Sequence, residues 1–203
     1  MIGVIDLGIS NIGSVLNMFK YVGHEAKSIS KTSELEACSK IVLPGVGSFD
    51  KGMAKLLSSG LVDTLNKRVL EDKVPVLGIC LGMQLMCLSS EEGSSPGLGW
   101  IDAKVRDFRK SASPPKKTPN MGWNTVEVKK SMVLTADFDP ETRFYFVHSY
   151  YVDCANSPDV LLMTKYGVDF VSAFQVENII GTQFHPEKSH VFGADFFEKF
   201  GSM

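Results

Sequence analysis

The chain has 203 residues, of which 44% are hydrophobic and 22% are charged, and its formal net charge at pH 7 is −2. This composition is typical of globular proteins and excludes disordered, collagen-like and coiled-coil classes. The slightly acidic balance also disfavours a nucleic-acid-binding protein, because such proteins are usually basic. Since a domain has roughly 100–200 residues, we expect a single domain over residues 1–203.

The sequence contains no apolar run near the ~20 residues that a membrane span needs, and no signal peptide is recognised at its start, so we expect a cytoplasmic protein. Its four cysteines, Cys38, Cys80, Cys87 and Cys154, form no C-x-x-C pair. We therefore expect free thiols, most of them buried, rather than a disulfide framework. No sequence pattern calls for a cofactor.

The first half of the chain alternates short apolar runs with amphipathic segments. Runs of strand length occur at residues 2–5, 26–29, 41–43 and 75–79. Apolar residues at helical spacing occur between and after them, at 12–22, 49–57, 61–70 and 83–88. Strands that alternate with helices predict a parallel sheet with helices on both faces.

The second half, residues 103–183, has a different pattern. Its β-rich stretches lie at 105–108, 125–128, 144–147, 160–166, 170–174 and 179–183, and a helix with four phenylalanines follows. We therefore predict an α/β fold in which a mostly parallel sheet, covered by helices on both faces, carries an antiparallel extension. The segment 111–117, rich in Ser, Pro and Lys, is predicted to be a loop.

Cys80 lies in Gly78-Ile79-Cys80-Leu81-Gly82, where an apolar strand gives way to a helix. This arrangement is typical of a nucleophile elbow, because small flanking residues permit a sharp turn that exposes the nucleophile at the edge of the sheet. The dipole at a helix N-terminus favours the thiolate form of a cysteine. The alternative is a small apolar cysteine in a glycine-flanked turn.

A nucleophilic cysteine needs a base and a group that orients the base. His185 and Glu187 end a strand-like run, where extended geometry places residues two apart on one face and lets the carboxylate accept from the ring N–H. A metal site with His190 is disfavoured, because Pro186 prevents a helical ligand face and no second ligand cluster exists. The other alternative is a strand-end histidine without a catalytic role.

The loop 44–48, Pro-Gly-Val-Gly-Ser, follows the third predicted strand. In a parallel sheet it would share the carboxyl edge with Cys80 and could offer backbone N–H groups to an oxyanion. A phosphate could bind such a loop, but neither G-x-x-x-x-G-K-[ST] nor G-x-G-x-x-G is present, which disfavours nucleotide binding.

Three segments together resemble a known family: PGVG at 44–47, GICLGMQL at 78–85 and FHPEKS at 184–189. They are similar to the signatures of class I (triad) glutamine amidotransferases, which implies a flavodoxin-like α/β fold. Two further segments, PNMGWN at 119–124 and VHSYY at 147–151, resemble the HisH family, the glutaminase subunit of imidazole glycerol phosphate synthase. The likeness covers nearly the whole chain.

The resemblance implies that Cys80 attacks the side-chain amide of glutamine while His185, held by Glu187, moves protons. It places oxyanion donors at Val46 or Gly47 and at Leu81. It also implies a set of glutamine-binding residues: Gly45, Gln84, His148, Ser149 and Tyr150. For His148 a purely structural role is an equal alternative.

A glutaminase of this length leaves no room for an ammonia-consuming domain, so the acceptor is expected on another polypeptide. The resemblance implies a heterodimer with a (β/α)₈-barrel cyclase that makes imidazole glycerol phosphate and aminoimidazole carboxamide ribotide in histidine biosynthesis. It places the following residues on the partner-facing side: Ile9, Asn11, Asn120, Met121 and Trp123.

Two segments depart from the family pattern. The usual D-Y-G-x-G-N-L-x-S reads DLGISNIGS at 6–14, and Asn120 replaces the histidine of P-H-M-G-W-N. These departures leave the predicted triad intact and keep open a paralogue that supplies ammonia to a sugar amidotransferase for amidino groups on surface glycans. A third alternative is a non-catalytic redox module with Cys80 as a sensor thiol, which Gln84 and the predicted triad disfavour.

Overall fold

The parallel part of the sheet is formed by five strands that come mainly from the first half of the chain. A computed structural model, which describes residues 1–203, orders these strands β2-β1-β3-β4-β13. All four neighbouring pairs are parallel. The strands span β1 (Ile2–Ile5), β2 (Ala26–Ile29), β3 (Lys40–Gly45), β4 (Val76–Cys80) and β13 (Ile179–Thr182).

The antiparallel extension continues the same sheet beyond β13, in the order β12-β10-β6-β5. Strand β11 pairs with β12 and with β8, while β7 and β9 form a separate antiparallel pair. The bounds are β5 (Ser89–Ser90), β6 (Ala103–Asp107), β7 (Asn120–Thr125), β8 (Glu127–Val128), β9 (Arg143–His148), β10 (Tyr150–Cys154), β11 (Val160–Tyr166) and β12 (Val168–Val176).

Helices cover both faces of the sheet. They are α1 (Ile12–Tyr21), α2 (Thr32–Glu36), α3 (Phe49–Ser58), α4 (Val62–Asn66), α5 (Leu81–Leu85) and α6 (His190–Ser202). Buried side chains of α1 and α6 share one apolar cluster, and those of α3, α4 and α5 belong to a second. Along β4, Val76 faces the second cluster whereas Leu77 and Ile79 face the first, as the alternation of a strand requires.

These features confirm the predicted α/β class, with a mostly parallel sheet and an antiparallel extension. None of the helices combines the length and the apolar character needed to cross a bilayer.

Several predicted bounds were wrong. The helix predicted at 61–70 is α4 followed by a wider π-helical turn at Lys67–Glu71, and the helix predicted at 83–88 is α5, which ends at Leu85. The strand predicted at 125–128 is divided between β7 and β8, and β10 was not predicted at all. Phe108 lies beyond β6, in a 3₁₀ turn.

The carboxyl edge of the parallel strands is where the candidate residues meet. Strands β3 and β4 end side by side, with Gly45 opposite Cys80. Three residues after β13 ends, the chain reaches His185. The fold therefore brings the 44–48 loop, Cys80 and His185 to one edge, as a parallel sheet requires.

Candidate active site

Cys80 sits on a strained turn between β4 and α5. Its backbone has φ 55° and ψ −108°, a conformation that side-chain-bearing residues adopt at a cost of about 1–3 kcal/mol. The turn depends on glycine at 82, because a Cβ there would lie 1.7 Å from the Leu43 carbonyl oxygen. This geometry confirms the strand-turn-helix elbow that the sequence predicts, with Cys80 only 7% exposed.

The other three thiols lie outside this setting. All four cysteines are free, and Cys38, Cys80 and Cys87 are buried. Burial raises the pKa of Cys38 and of Cys87, and with nearby acidic groups it raises the pKa of Cys154 to about 12. Desolvation therefore keeps these three thiols protonated and poorly nucleophilic.

His185 is held by a carboxylate behind it. Its Nδ1 lies 2.7 Å from Glu187 Oε1, and both side chains are nearly inaccessible, at 2% and 6% exposure. Glu187 reaches the ring from a 3₁₀ turn (Pro186–Lys188) rather than from the extended segment that the sequence suggested. The contact fixes Nδ1 as the protonated nitrogen and turns Nε2 toward the cavity that contains Cys80.

The electrostatic environment favours the charged imidazolium. Burial by itself lowers the pKa of His185, but Cys80 and Glu187 outweigh it and raise that pKa to about 10. His185 Nε2 is nevertheless buried without a completed hydrogen bond. Catalytic hydrogen bonds are often loose in unliganded enzymes and tighten when substrate binds. Cys80 and His185 can therefore exchange a proton once a bound substrate orders the two side chains.

A cavity of about 310 Å³ opens above Cys80 and His185. Its wall contains most of the predicted residues, namely Val46, Gly47, Leu81, Gln84, His148, Ser149 and Tyr150. Gly45 is absent from the wall, because it lies beneath, in close contact with Leu81. A free amino acid fits a cavity of this size.

Glu92 also lines the cavity and was missed by the sequence interpretation. Its carboxylate accepts from the Phe49 N–H at 2.8 Å. Burial, together with nearby acidic groups, raises its pKa despite this hydrogen bond. Glu92 is the one carboxylate among the residues that line the cavity, and a carboxylate can bind an ammonium group. A single acidic residue in a loop gives no periodic or motif signal, so sequence alone could not have selected it.

The carbonyl oxygen of Tyr150 organises the polar wall. It accepts from His148 Nδ1 at 2.7 Å and from Gln84 Nε2 at 3.3 Å. Since a carbonyl can only accept, His148 carries its proton on Nδ1 and its Nε2 is the acceptor for Asn120 Nδ2, 3.1 Å away. Burial lowers the pKa of His148 to about 4, so the ring is neutral.

The glycine-rich loop rests in a defined conformation. The Val46 N–H donates to the Ile9 carbonyl at 3.0 Å, and Gly47 has φ +105°, in the region that favours glycine. The Val46 N–H is thus occupied, whereas the Leu81 N–H belongs to the first turn of α5, where backbone donors lack helical partners.

The predicted partner-facing residues differ in exposure. Met121 and Trp123 are 63% and 42% exposed, and Trp123 stacks on His190 with ring centroids 5.5 Å apart. Asn11 is exposed and Ile9 is half-buried. The prediction for Asn120 was wrong, because its side chain is 1% exposed and points inward to His148. Alternation along β7 places neighbouring residues on opposite faces.

Comparisons with known proteins identify the family of this chain. Residues 3–201 match the family model of class-I glutamine amidotransferases. A solved glutamine amidotransferase covers 100% of this chain and 99% of its own at 19% identity, with a TM-score of 0.76. Another, from Thermotoga maritima, covers 92% of this chain and 75% of its own at 20% identity, with a TM-score of 0.62. These two likenesses show the shared fold.

The chain therefore belongs to the class I glutamine amidotransferases and is an enzyme of that class. Curated relatives define the branch more narrowly. The imidazole glycerol phosphate synthase subunit HisH 2 of Pseudomonas aeruginosa is 47% identical over 200 residues, 98% of each chain. Subunit HisH of Leptospira borgpetersenii is 44% identical over 204 residues, all of both chains. Within the class, the chain is a member of the HisH family.

Proposed function

We propose that residues 1–203 form one glutaminase domain that hydrolyses glutamine to glutamate and ammonia and passes the ammonia to a separate cyclase subunit of imidazole glycerol phosphate synthase. The observation that carries this proposal is the alignment of Cys80 on its strained turn with His185 and Glu187 at one end of an amino-acid-sized cavity. The full-length similarity to HisH subunits supports histidine biosynthesis over the sugar-amidating and redox alternatives.

In the proposed reaction the Cys80 thiol gives its proton to His185 Nε2, and the thiolate attacks the side-chain amide carbon of glutamine. His185 returns this proton to the nitrogen as the carbon–nitrogen bond breaks, which releases ammonia and leaves a γ-glutamyl thioester. His185 then takes a proton from water, hydroxide attacks the thioester, and glutamate leaves as Cys80 is restored. Glu187 stabilises the imidazolium in both steps.

Glutamine binding follows from the polar wall. Gln84 Nε2 donates hydrogen bonds to the Tyr150 carbonyl and to Gln183 Oε1. The Gln84 Oε1 therefore remains free to accept a hydrogen bond from the substrate glutamine. Glu92 offers an anion to the α-ammonium group. Ser149 and Tyr150 line the same wall, and His148 acts by fixing the Tyr150 carbonyl. Gly45 contributes by allowing Leu81 to approach β3 closely.

The oxyanion site is incomplete at rest. Leu81 N–H can stabilise the developing negative charge, but the Val46 N–H is engaged by Ile9. A turn of the peptide units around Val46 and Gly47 would redirect an N–H into the cavity and add a second donor. We propose that the cyclase and its ligand favour this second conformation, so that glutamine is hydrolysed when an acceptor is ready.

The partner surface is proposed to contain Met121 and Trp123, with Ile9 and Asn11 alongside. Large exposed aromatic side chains commonly anchor protein interfaces, and Trp123 is 42% exposed and stacks on His190. The partner is a (β/α)₈-barrel cyclase that receives ammonia and makes imidazole glycerol phosphate and aminoimidazole carboxamide ribotide.

The test is ammonia transfer from amide-¹⁵N-labelled glutamine in the presence of the purified cyclase from the same cell. We expect ¹⁵N in imidazole glycerol phosphate with the unaltered chain and with Cys154→Ala, but none with Cys80→Ala. Transfer by Cys80→Ala would refute the proposed nucleophile. Binding and transfer to a sugar amidotransferase, with none to the cyclase, would refute the proposed pathway.

A further inference from the structure

Gln183 is a buried side chain next to the nucleophile that the mechanism above uses only as a partner of Gln84. The whole residue is inaccessible to solvent. Its Nε2 lies 3.7 Å from Cys80 Sγ, and its Oε1 accepts from Gln84 Nε2 at 2.9 Å. Its backbone N–H donates to the Ser172 carbonyl of β12 at 2.9 Å, which fixes the segment. Both ends of the carboxamide are therefore engaged within the site.

The orientation of this carboxamide follows from its neighbours. The Tyr150 carbonyl can only accept, so the Gln84 atom that faces it is Nε2. The same Nε2 faces Gln183, which must present its oxygen. The Gln183 Nε2 is then left facing Cys80 Sγ. The chain of contacts from a single carbonyl thus aims an N–H donor at the sulfur.

We propose that Gln183 is a positioning residue for the glutaminase reaction, which donates its side-chain N–H to the Cys80 sulfur and holds Gln84 with its free oxygen toward glutamine. This inference rests on the proposed function of Cys80. Hydrogen bonds to a charged acceptor are roughly twice as strong as neutral ones, so the donor favours the thiolate.

Gln183 differs from His185, the other side chain that acts on the Cys80 sulfur, because a carboxamide does not titrate. The ionisable groups near the sulfur are His185, backed by Glu187, and Glu92, His148 and Tyr150 in the cavity wall. His185 gives its proton to the departing nitrogen, whereas Gln183 keeps its N–H throughout. The Cys80 sulfur carries negative charge at two points of the reaction: as the thiolate that attacks glutamine, and as the thiolate that leaves when the thioester is hydrolysed. A donor that is never consumed stabilises both states.

Two substitutions separate the contacts of Gln183. Gln183→Glu keeps an oxygen for Gln84 but replaces the donor beside Cys80 with an anion. Gln183→Met removes both contacts at similar volume. The probe is iodoacetamide, with the rate of Cys80 alkylation followed by peptide mass spectrometry from pH 5 to 10. In parallel, kcat and KM for glutamine are measured with the cyclase bound.

Gln183→Met should alkylate about tenfold more slowly at pH 7, and the midpoint of its alkylation profile should move to higher pH by about one unit, the effect of losing a charge-assisted hydrogen bond. Gln183→Glu should slow alkylation at least as much, because it also places an anion beside the sulfur. Gln183→Glu should lower kcat while KM stays within about twofold, because the Gln84 contact persists. Gln183→Met should lower kcat and also raise KM. If Gln183→Met does not fold by its thermal melt, the Gln183→Glu profile decides the question.

Gln175→Met is the matched control, because Gln175 is another buried glutamine on the same sheet that pairs with Ile180, at the opposite end from Cys80. It should alkylate like the unaltered chain. Unchanged alkylation profiles in folded Gln183 variants would overturn the positioning role alone. Ammonia release by Cys80→Ala would instead overturn the proposed nucleophile, so the two failures are distinguishable.

Discussion

The neutral state of His148 makes a specific contribution to acid stability. Its Nε2 accepts from Asn120 and its Nδ1 donates to Tyr150, so protonation would place two donors face to face. The ring is 6% exposed, and burial, with the nearby charge of His185, lowers its pKa from 6.5 to about 4. Between these two pKa values, His148 is neutral in the folded protein and protonated in the unfolded chain.

The sign and magnitude follow from linkage. Between pH 6.5 and about 4 the unfolded chain binds one more proton at this position than the folded protein, so stability falls as the pH falls through this window and levels off below it. The interval between the two pKa values corresponds to about 3 kcal/mol. His185 contributes little here, because its raised pKa of about 10 keeps it protonated in the folded state, while the unfolded histidine also becomes protonated.

We expect His148→Gln to remove most of this acid-dependent loss. A glutamine can accept from Asn120 and donate to Tyr150, but it does not titrate. Urea unfolding of both proteins at pH 7 and at pH 4 measures the effect. The unaltered chain should lose about 3 kcal/mol more than His148→Gln over this interval. An equal loss in the two proteins would refute the neutral, buried histidine.

Three other predictions address the remaining parts of the site. Glu187→Gln should lower the raised pKa of His185, so the alkaline limb of the pH profile of kcat/KM should move to lower pH by at least about one unit; an unmoved limb would contradict the ion pair. Gly47→Ala should raise basal glutaminase turnover without altering iodoacetamide labelling of Cys80, because φ +105° in the resting loop strains a side-chain-bearing residue, although a Cβ would meet no atom within 4 Å, and the strain favours the turned conformation; unchanged basal turnover would contradict the proposed turn. Trp123→Ala should weaken binding of the cyclase about tenfold or more in calorimetry, whereas unchanged affinity would exclude Trp123 as an anchor.

The parallel half of the fold was predictable because local patterns there agree with the global arrangement. Strands β1, β3, β4 and β13 are buried along almost their whole length and read as short apolar runs, whereas the edge strand β2 is half exposed. The antiparallel half lacks this agreement. Strand β10, Tyr150–Cys154, has only three residues of high strand propensity before Asp153 interrupts it, and its pairing with β6 defines it. Pairing partners are not contained in a local pattern.

The candidate site divides in the same way. Cys80, His185 and Glu187 were identifiable because a strand-to-helix turn marks the cysteine and because the histidine and the glutamate are close in sequence, although a 3₁₀ turn brings those two together. Glu92 and Gln183 reach the site through contacts distant in sequence, Glu92 with Phe49 and Gln183 with Gln84. Asn120 was wrongly predicted to face the partner. It is the first residue of β7, so the sequence before it gives no strand alternation from which its inward direction could be predicted.

The inward direction of Asn120 gives β7 two functions on its two faces. Asn120 donates to His148 and accepts from Asn124, while the adjacent Met121 is exposed on the proposed partner surface. Because His148 in turn fixes the Tyr150 carbonyl in the cavity wall, movement of β7 on binding would change the groups that hold glutamine. We expect Asn120→Leu to reduce the stimulation of glutaminase by the cyclase severalfold, while Met121→Ala chiefly weakens cyclase binding. Titration of the cyclase against both variants separates the maximum stimulation from the affinity. Full stimulation of a folded Asn120→Leu protein would show that the hydrogen-bonded chain does not couple the two surfaces.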